Sequence, residues 1–285
     1  MLVTGGGSGI GRCTAHELAS LGADLALVGR KMEKLETVKA EIEQTCSVKI
    51  SLHSCDIREE ERVKETVTEV LTIHGKINHL INNAGGQFPS PLNMISGKGF
   101  ETVVRNNLTG GFLMAREVFN QYMMLRLGET DLSITNIIAD MWNGMPGMGH
   151  SGAARAGMLN FSETASNEWA PVRVNAVAPG FIASSGMDTY PEPMKQTIMQ
   201  LDKTIPLHRL GLEAEVSGAL VFLCSPAASF ISGSCIRIDG ASPNARRIWQ
   251  VGTGKPNPAF NSFHLGGVPE VIQRRDAARA AQQKK

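Results

Sequence analysis

The 285-residue sequence predicts an α/β fold, a single doubly wound domain with a parallel sheet and a C-terminal extension. Two observations predict it: a glycine-rich loop at the very start of the chain, and a regular alternation of strand-length apolar runs with helical patterns. A hydrophobic content of 42% supplies the core of one large domain, assigned to residues 1–242, with residues 243–285 as an arm.

The loop is Thr4-Gly-Gly-Gly-Ser-Gly-Ile-Gly11, set between an apolar run at 1–3 and a helical run that begins near Gly11. Glycines at 5, 9 and 11 let the backbone turn tightly off a strand, and the helix behind them offers free N–H groups to phosphates. Gly5, Ser8, Gly9, Ile10 and Gly11 are therefore assigned to the phosphates of a dinucleotide. Glycine also marks ordinary turns; the order of strand, loop and helix is what favours the nucleotide. Only residues 1–3 precede the loop as a first strand, the pattern expected of a truncated start.

Further strands are expected at 23–28, 48–53, 79–81, 133–138, 172–176 and 235–238, and helices at 10–21, 32–45, 59–74, 100–125, 151–169 and 213–224. Ligands of such sheets bind beyond the carboxyl ends of the strands. After Asp239-Gly240 the chain turns rich in Pro, Gly and Asn and ends in a short helical pattern at 268–283, the signature of a packing or subunit-contact element.

Charge balance excludes some functions. With 28 basic and 27 acidic residues and no basic block, neither nucleic acid nor an anionic membrane is an expected partner; a small molecule is. The five cysteines (Cys13, Cys46, Cys55, Cys224, Cys235) lack CxxC spacing, so neither a metal site nor a disulfide framework is expected. No apolar stretch approaches the ~20 residues of a membrane span, and the N-terminus lacks the order of a secretory signal. A cytoplasmic enzyme is expected.

Taken together with Cys55-Asp56-Ile57, Asn82-Asn-Ala-Gly85, Asn107-Leu-Thr-Gly110, Arg173-Val-Asn-Ala-Val-Ala-Pro-Gly180 and Ser225-Pro-Ala-Ala228, the glycine loop resembles the short-chain dehydrogenase/reductase superfamily, from Thr4 to about Gly240. That resemblance implies a Rossmann fold and a nicotinamide cofactor. It implies that Asp56 and Ile57 hold the adenine, that Asn83, Ala84 and Gly85 pack on the adenosine ribose, and that Pro179, Gly180, Ile182 and Ser184 border the nicotinamide. It also implies a homotetramer paired through the 100–125 and 151–169 helices.

Arg30 follows the second strand, where an acidic residue would bind a ribose 2′-hydroxyl. A guanidinium pairs bidentately with a 2′-phosphate, so NADP(H) is expected in preference to NAD(H). Arg12, just past the loop, is placed for a second phosphate contact.

The catalytic pattern departs from the family. Most members carry a Tyr and, four residues later, a Lys; those positions here are Ser151 and Arg155, in His150-Ser-Gly-Ala-Ala-Arg-Ala-Gly157. The family's upstream Ser is also missing from Asn136-Ile-Ile-Ala139, which leaves Asn107 alone from the usual tetrad. Neither tyrosine, Tyr122 or Tyr190, precedes a Lys by four positions. Carbonyl reduction needs a tuned acid; Ser151 is a poor one, and Arg155 does not deprotonate. Hydride addition to a double bond conjugated with a thioester needs less, because fixed donors can stabilise the enolate oxygen. Asn107, Ser151 and Arg155 are assigned to the reacting end, Arg155 also to the cofactor.

The helix motif, Asn82-Asn-Ala-Gly-Gly-Gln-Phe88 and Pro226-Ala-Ala-Ser-Phe-Ile-Ser-Gly233 resemble the peroxisomal trans-2-enoyl-CoA reductases and their dienoyl-CoA relatives. In the latter a displaced Tyr supplies the acid, and its position here is Asp140, read either as an acid or as a loop cap. The stretch 139–150 also resembles bacterial citronellol/citronellal dehydrogenases. His150 reads as a proton donor or as a capping histidine, and Met141, Trp142, Met145 and Met148 as a wall for a long chain or as core filling. The expected activity is NADP(H)-dependent reduction of an activated double bond in an apolar acyl-CoA. The rivals are isoprenoid alcohol or aldehyde redox and a nucleotide-bound pseudoenzyme.

Overall fold

The computed structural model describes residues 1–129, 131–184, 187, 192–198, 200–245, 256–264 and 266–283. Tyr190 lies outside the described residues. The chain runs β1 (Leu2–Thr4), α1 (Gly9–Ser20), β2 (Leu25–Gly29), α2 (Met32–Glu43), β3 (Ile50–Ser54), α3 (Glu60–His74) and β4 (His79–Asn82). It continues with α4 (Gly97–Val104), α5 (Gly110–Gln121), β5 (Ser133–Ile137), α6 (Gly149–Glu168), β6 (Arg173–Pro179) and β7 (Ile182–Ala183). Then come α7 (Glu192–Ile198), β8 (Gly211–Leu212), α8 (Glu213–Leu223), β9 (Cys235–Ile238) and α9 (Glu270–Gln283). The expected strands and the other expected helices are present, with ends shifted by at most three residues, while the helix expected at 100–125 is interrupted.

Seven parallel strands pair in the order β3-β2-β1-β4-β5-β6-β9, a Rossmann-type sheet. The short β1 is an interior strand, between β2 and β4, with Leu2 opposite both Ala26 and Leu80. Strand order reverses beside β1, which opens a crevice at the carboxyl end. The two-residue side-chain period sends alternate residues to opposite cores. Leu2, Ala26 and Val28 pack with Val63, Val67 and Val118 of α3 and α5; Val3, Leu25 and Leu27 pack with Leu18, Leu35 and Leu220 of α1, α2 and α8.

The expected single helix at 100–125 is broken. A π turn at Arg105–Thr109 separates α4 from α5, and α5 stops at Gln121 before a 3₁₀ turn at Met123–Arg126. Asn107 accounts for the break: its Nδ2 donates to the Val103 carbonyl four residues back (2.9 Å), an acceptor that a regular ladder would use.

β7 and β8 form a separate two-stranded sheet. Together with Ile198 and Ile205 they bury Val271 and Ile272 of α9, so the terminal helix is packed onto the segment that follows β6.

Candidate active site

The crevice beside β1 begins at the glycine loop. Gly5 takes φ +67°, and its N–H donates to the Val28 carbonyl at 2.8 Å. A Cβ at Gly11 would collide with the carbonyl oxygen of Gly5, so both positions require glycine. The Thr4 hydroxyl accepts from the N–H groups of Asn83 (3.0 Å) and Ala84 (2.9 Å), and Asn83 Nδ2 donates to the carbonyls of Thr4 and Gly5 (3.0 and 3.2 Å). These bonds stitch the end of β4 to the loop and hold Asn83, Ala84 and Gly85 along the groove. Ser8 caps α1 and is exposed, and its hydroxyl makes no capping bond, which leaves it available to a phosphate.

One side of the groove is cationic. Arg30, Lys31 and Lys34 are exposed there opposite Asp56 and Ile57, and among the described residues Arg30 makes no ion pair. The Asp56 carboxylate is held bidentately by Arg58, whose side chain keeps it below the usual carboxylate range. The face open to an adenine is thus Ile57 and the Asp56 backbone. Arg12 lines the adjoining cavity beside Gly7–Gly9 and is absent from the lining of the Arg30 groove, and its Nε donates to Glu41 of α2 at 2.7 Å. The glycine cradle, the free serine and the groove beside them fit an adenine dinucleotide.

At the other end β6 leads into Pro179 and Gly180, where a Cβ on Gly180 would lie 2.8 Å from the Asp239 Cα. Ile182 buries its side chain in the core cluster that holds Val177, Val216 and Leu220, and Ser184 after it is half-buried.

Ser151 and Arg155 stand one turn apart on α6, hence on one face. Ser151 is fully buried and its Oγ donates to Gln87 Oε1 at 3.3 Å. Arg155 is buried beside Gly85: a Cβ there would be 2.8 Å from Arg155 Nη2 and 2.6 Å from Asn107 Oδ1. Its Nη1 donates to the Ile137 carbonyl (2.5 Å), its Nε has no hydrogen-bond partner, and burial pulls its pKa down to about 10. No carboxylate forms a salt bridge with it among the described residues. Such a cation behind Gly85, which lines the groove, suits an anionic or strongly polar ligand group.

Asn107 is committed to the backbone. Its Oδ1 accepts from Gly86 N (3.0 Å), and its Nδ2 donates to the carbonyls of Gly86 (2.7 Å) and Val103 (2.9 Å). Both amide hydrogens are used, so Asn107 clamps the Gly86 peptide and presents the loop that carries Gln87. Asn136, at the family's serine position, bonds Asn82 and Ser162 at 2.9 Å each inside the core.

His150 is wholly buried against the edge of Phe88, with ring centroids 4.6 Å apart, and its Nδ1 accepts the Ser151 N–H at 2.9 Å. It satisfies an N–H of the first turn of α6, the capping role. Asp140 is half-buried with one carboxylate oxygen unpartnered; burial first, and Asp239 second, raise its pKa. Met141 and Trp142 pack on Ile138 and Met158, and Arg237 lies 4.9 Å over the Trp142 ring. Met145 and Met148 line the loop mouth across from the exposed Phe88, Leu92 and Met94, and the two loops are zipped by Ser90 N to the Gly147 carbonyl (2.8 Å). Among the described residues no cluster could hold a metal ion, and no helix is long and apolar enough to cross a membrane.

Sequence reasoning assigned no role to Gln87, Thr4 or Lys34. A glutamine directly after Asn82-Asn-Ala-Gly-Gly86 was the available signal for the first, and a lysine one helical turn after Arg30 for the third.

Comparison with known proteins adds a family. Residues 5–241 match the family model described as enoyl-(acyl carrier protein) reductase. A probable 2,4-dienoyl-CoA reductase ((2E)-enoyl-CoA-producing) of Bacillus subtilis (strain 168) is 31% identical over 243 residues, 84% of this chain and 94% of the relative. The 3-oxoacyl-[acyl-carrier-protein] reductase FabG of Aquifex aeolicus is 33% identical over 241 residues, 84% and 95% of the two chains. Among solved structures, the citronellol catabolism dehydrogenase AtuB of Pseudomonas aeruginosa PAO1 superposes with a TM-score of 0.74 at 59% identity, over 85% of this chain and 93% of that one.

Proposed function

Because the chain belongs to the short-chain dehydrogenase/reductase family and yet carries Ser151 and Arg155 where that family carries Tyr and Lys, we propose that it reduces the activated carbon–carbon double bond of an apolar acyl-CoA, with NADPH. Bound NADPH supplies a hydride to the carbon β to the thioester. Negative charge then gathers on the thioester oxygen, where the protein's task is to hold donors, and a proton from solvent taken up at the α-carbon collapses the enolate to the saturated thioester. Ser151 fixes the Gln87 carbonyl, which leaves the Gln87 N–H groups for that oxygen. Asn107 acts at one remove, by fixing Gly86. Arg155 sets the cationic floor beneath the reacting end, and Arg30, Lys31 and Lys34 favour the 2′-phosphate.

The observation that carries this reading is the Ser151–Gln87 pair on a wall with no phenol: among the described residues the one tyrosine, Tyr122, caps the end of α5 and packs on the core away from the groove. The apolar mouth formed by Phe88, Leu92, Met94, Met145 and Met148 accepts a long hydrocarbon chain. An assembly through α5 and α6 into a homotetramer, in the cytoplasm, belongs to the same proposal.

A second reading has its own support. The 59% identity to AtuB favours redox of an isoprenoid alcohol or aldehyde. That chemistry needs an acid, and Asp140, with its raised pKa, is the residue to supply it. Loss of NADPH absorbance with a branched trans-enoyl-CoA and with citronellal, each product identified by mass, separates the two. A saturated acyl-CoA supports the first reading; an alcohol from citronellal with no turnover of the thioester replaces it by the second.

A further inference from the structure

The family match ends at residue 241, and residues 256–283 lie beyond it. This segment returns across the cofactor side of the domain. Asn257 accepts from Arg209 Nε at 3.1 Å through its carbonyl and its side-chain oxygen. The Phe263 and His264 N–H groups then donate to one oxygen of Glu17 (3.1 and 3.3 Å), a fully buried carboxylate in the middle of α1. The His264 ring stacks on His16 with centroids 5.5 Å apart and bonds the Thr45 hydroxyl at 3.2 Å.

From there the chain crosses the N-terminal ends of α1 and α8. Gly266, Gly267, Val268 and Pro269 close a cavity whose other walls are Gly7–Gly9, Arg12 and Glu213. Gly7 and Ser8 also line the groove of Arg30, so the cavity and that groove meet at the glycine loop. α9 then anchors the far end. Val271 and Ile272, 4% and 5% exposed, insert among Ile198, Ile205, Leu210 and Leu212, while Arg275 and Arg279 both reach the buried Asp202. That cluster is continuous with β7, which carries Ile182 and leads to Ser184. The segment is thus tied behind the phosphate end of the crevice at Glu17 and to its nicotinamide end through the Ile198–Leu212 cluster.

We propose that residues 256–264 and 266–283 form a strap that closes the phosphate compartment of the dinucleotide groove and sets the rate at which the cofactor leaves. The inference rests on the cofactor assignment alone and holds for either substrate reading. Gly266–Pro269 wall the cavity that meets the groove at the glycine loop, so release of a dinucleotide held there would require the strap to lift from Glu17 or the Ile198–Leu212 cluster to let α9 go. Ordering of the strap and of the bound phosphates is therefore mutual.

Hydrogen exchange on the full chain, with and without saturating NADPH and NADH, tests this. With dinucleotide bound, amides 260–264 and 266–268 are expected to exchange about tenfold more slowly, along with those of the glycine loop. The companion variant, Val271→Asp/Ile272→Asp in the full chain, changes only strap residues; its NADPH dissociation, followed by stopped-flow nicotinamide fluorescence, is expected to be about tenfold faster. Slowing in the glycine loop without slowing at 260–264 and 266–268, or a folded variant with the wild-type dissociation rate, overturns the strap and leaves the cofactor site standing. If neither region responds to either dinucleotide, the cofactor site and the strap fall together. If the variant does not fold, the wild-type exchange decides.

Discussion

Removing the Ser151 hydroxyl separates catalysis from stability. Ser151→Ala deletes a buried hydroxyl whose bond is to Gln87, an exposed side chain, so water can take the freed Gln87 oxygen and no buried group is orphaned. Alanine is also the better helix former inside α6, so unfolding free energy should change by less than about 1 kcal/mol. Turnover should behave otherwise, since losing one oxyanion donor costs about 10²–10³ in kcat, or about 2.7–4 kcal/mol. Because Ser151 acts by orienting Gln87, Gln87→Ala should cost a similar factor, and the double variant should lose scarcely more than either single one. The assay is steady-state NADPH oxidation on a trans-enoyl-CoA for all four proteins, with urea unfolding alongside. Multiplicative losses would mean that the two side chains act separately. Unchanged turnover in Ser151→Ala would refute the oxyanion assignment.

Three further outcomes follow from the geometry. Arg30→Asp should weaken NADPH by about 2–4 kcal/mol, from a lost bidentate charged pair plus new repulsion moderated by Lys31 and Lys34, while NADH binding holds or improves; equal weakening of both in calorimetric titrations would remove the cofactor argument. His79 is buried against the Ser133 hydroxyl at 2.8 Å, and burial lowers its pKa from 6.5 to about 4. The fold favours the neutral ring, so this contribution is fully present above pH 6.5 and is lost as pH falls towards 4, up to about 3 kcal/mol; His79→Gln should flatten the urea-measured stability profile in that window. Gly11→Ala, which drives a methyl into the Gly5 carbonyl, should abolish dinucleotide binding, and retained affinity by fluorescence titration would contradict the cradle.

Much of this architecture is legible in the sequence because burial on both faces makes parallel strands into short apolar runs. Leu25–Gly29 and Arg173–Pro179 stand out for that reason. The glycine loop is legible because backbone sterics leave no other residue at Gly5 and Gly11. The helix break at Asn107 is not, since periodicity continues through it and the cause is one side chain competing for the Val103 carbonyl. Arg12 reads as a phosphate contact by position, and its pairing with Glu41 is not legible because that partner lies 29 residues away. Gln87 escapes because its role depends on meeting Ser151 across 64 residues, a contact that only the packing of α6 against the β4 loop creates. His150 and Asp140 were open readings for a related reason: whether a titratable group caps, pairs or is left alone depends on burial and neighbours distant in the chain.

The central claim is the destination of the hydride. NADPH labelled with deuterium at the transferred C4 position, incubated with the protein and a branched trans-2-enoyl-CoA beside citronellal, reports it directly by mass spectrometry. The account predicts deuterium at the β-carbon of a saturated acyl-CoA. Deuterium at the carbinol carbon of citronellol, with the thioester untouched, would contradict it.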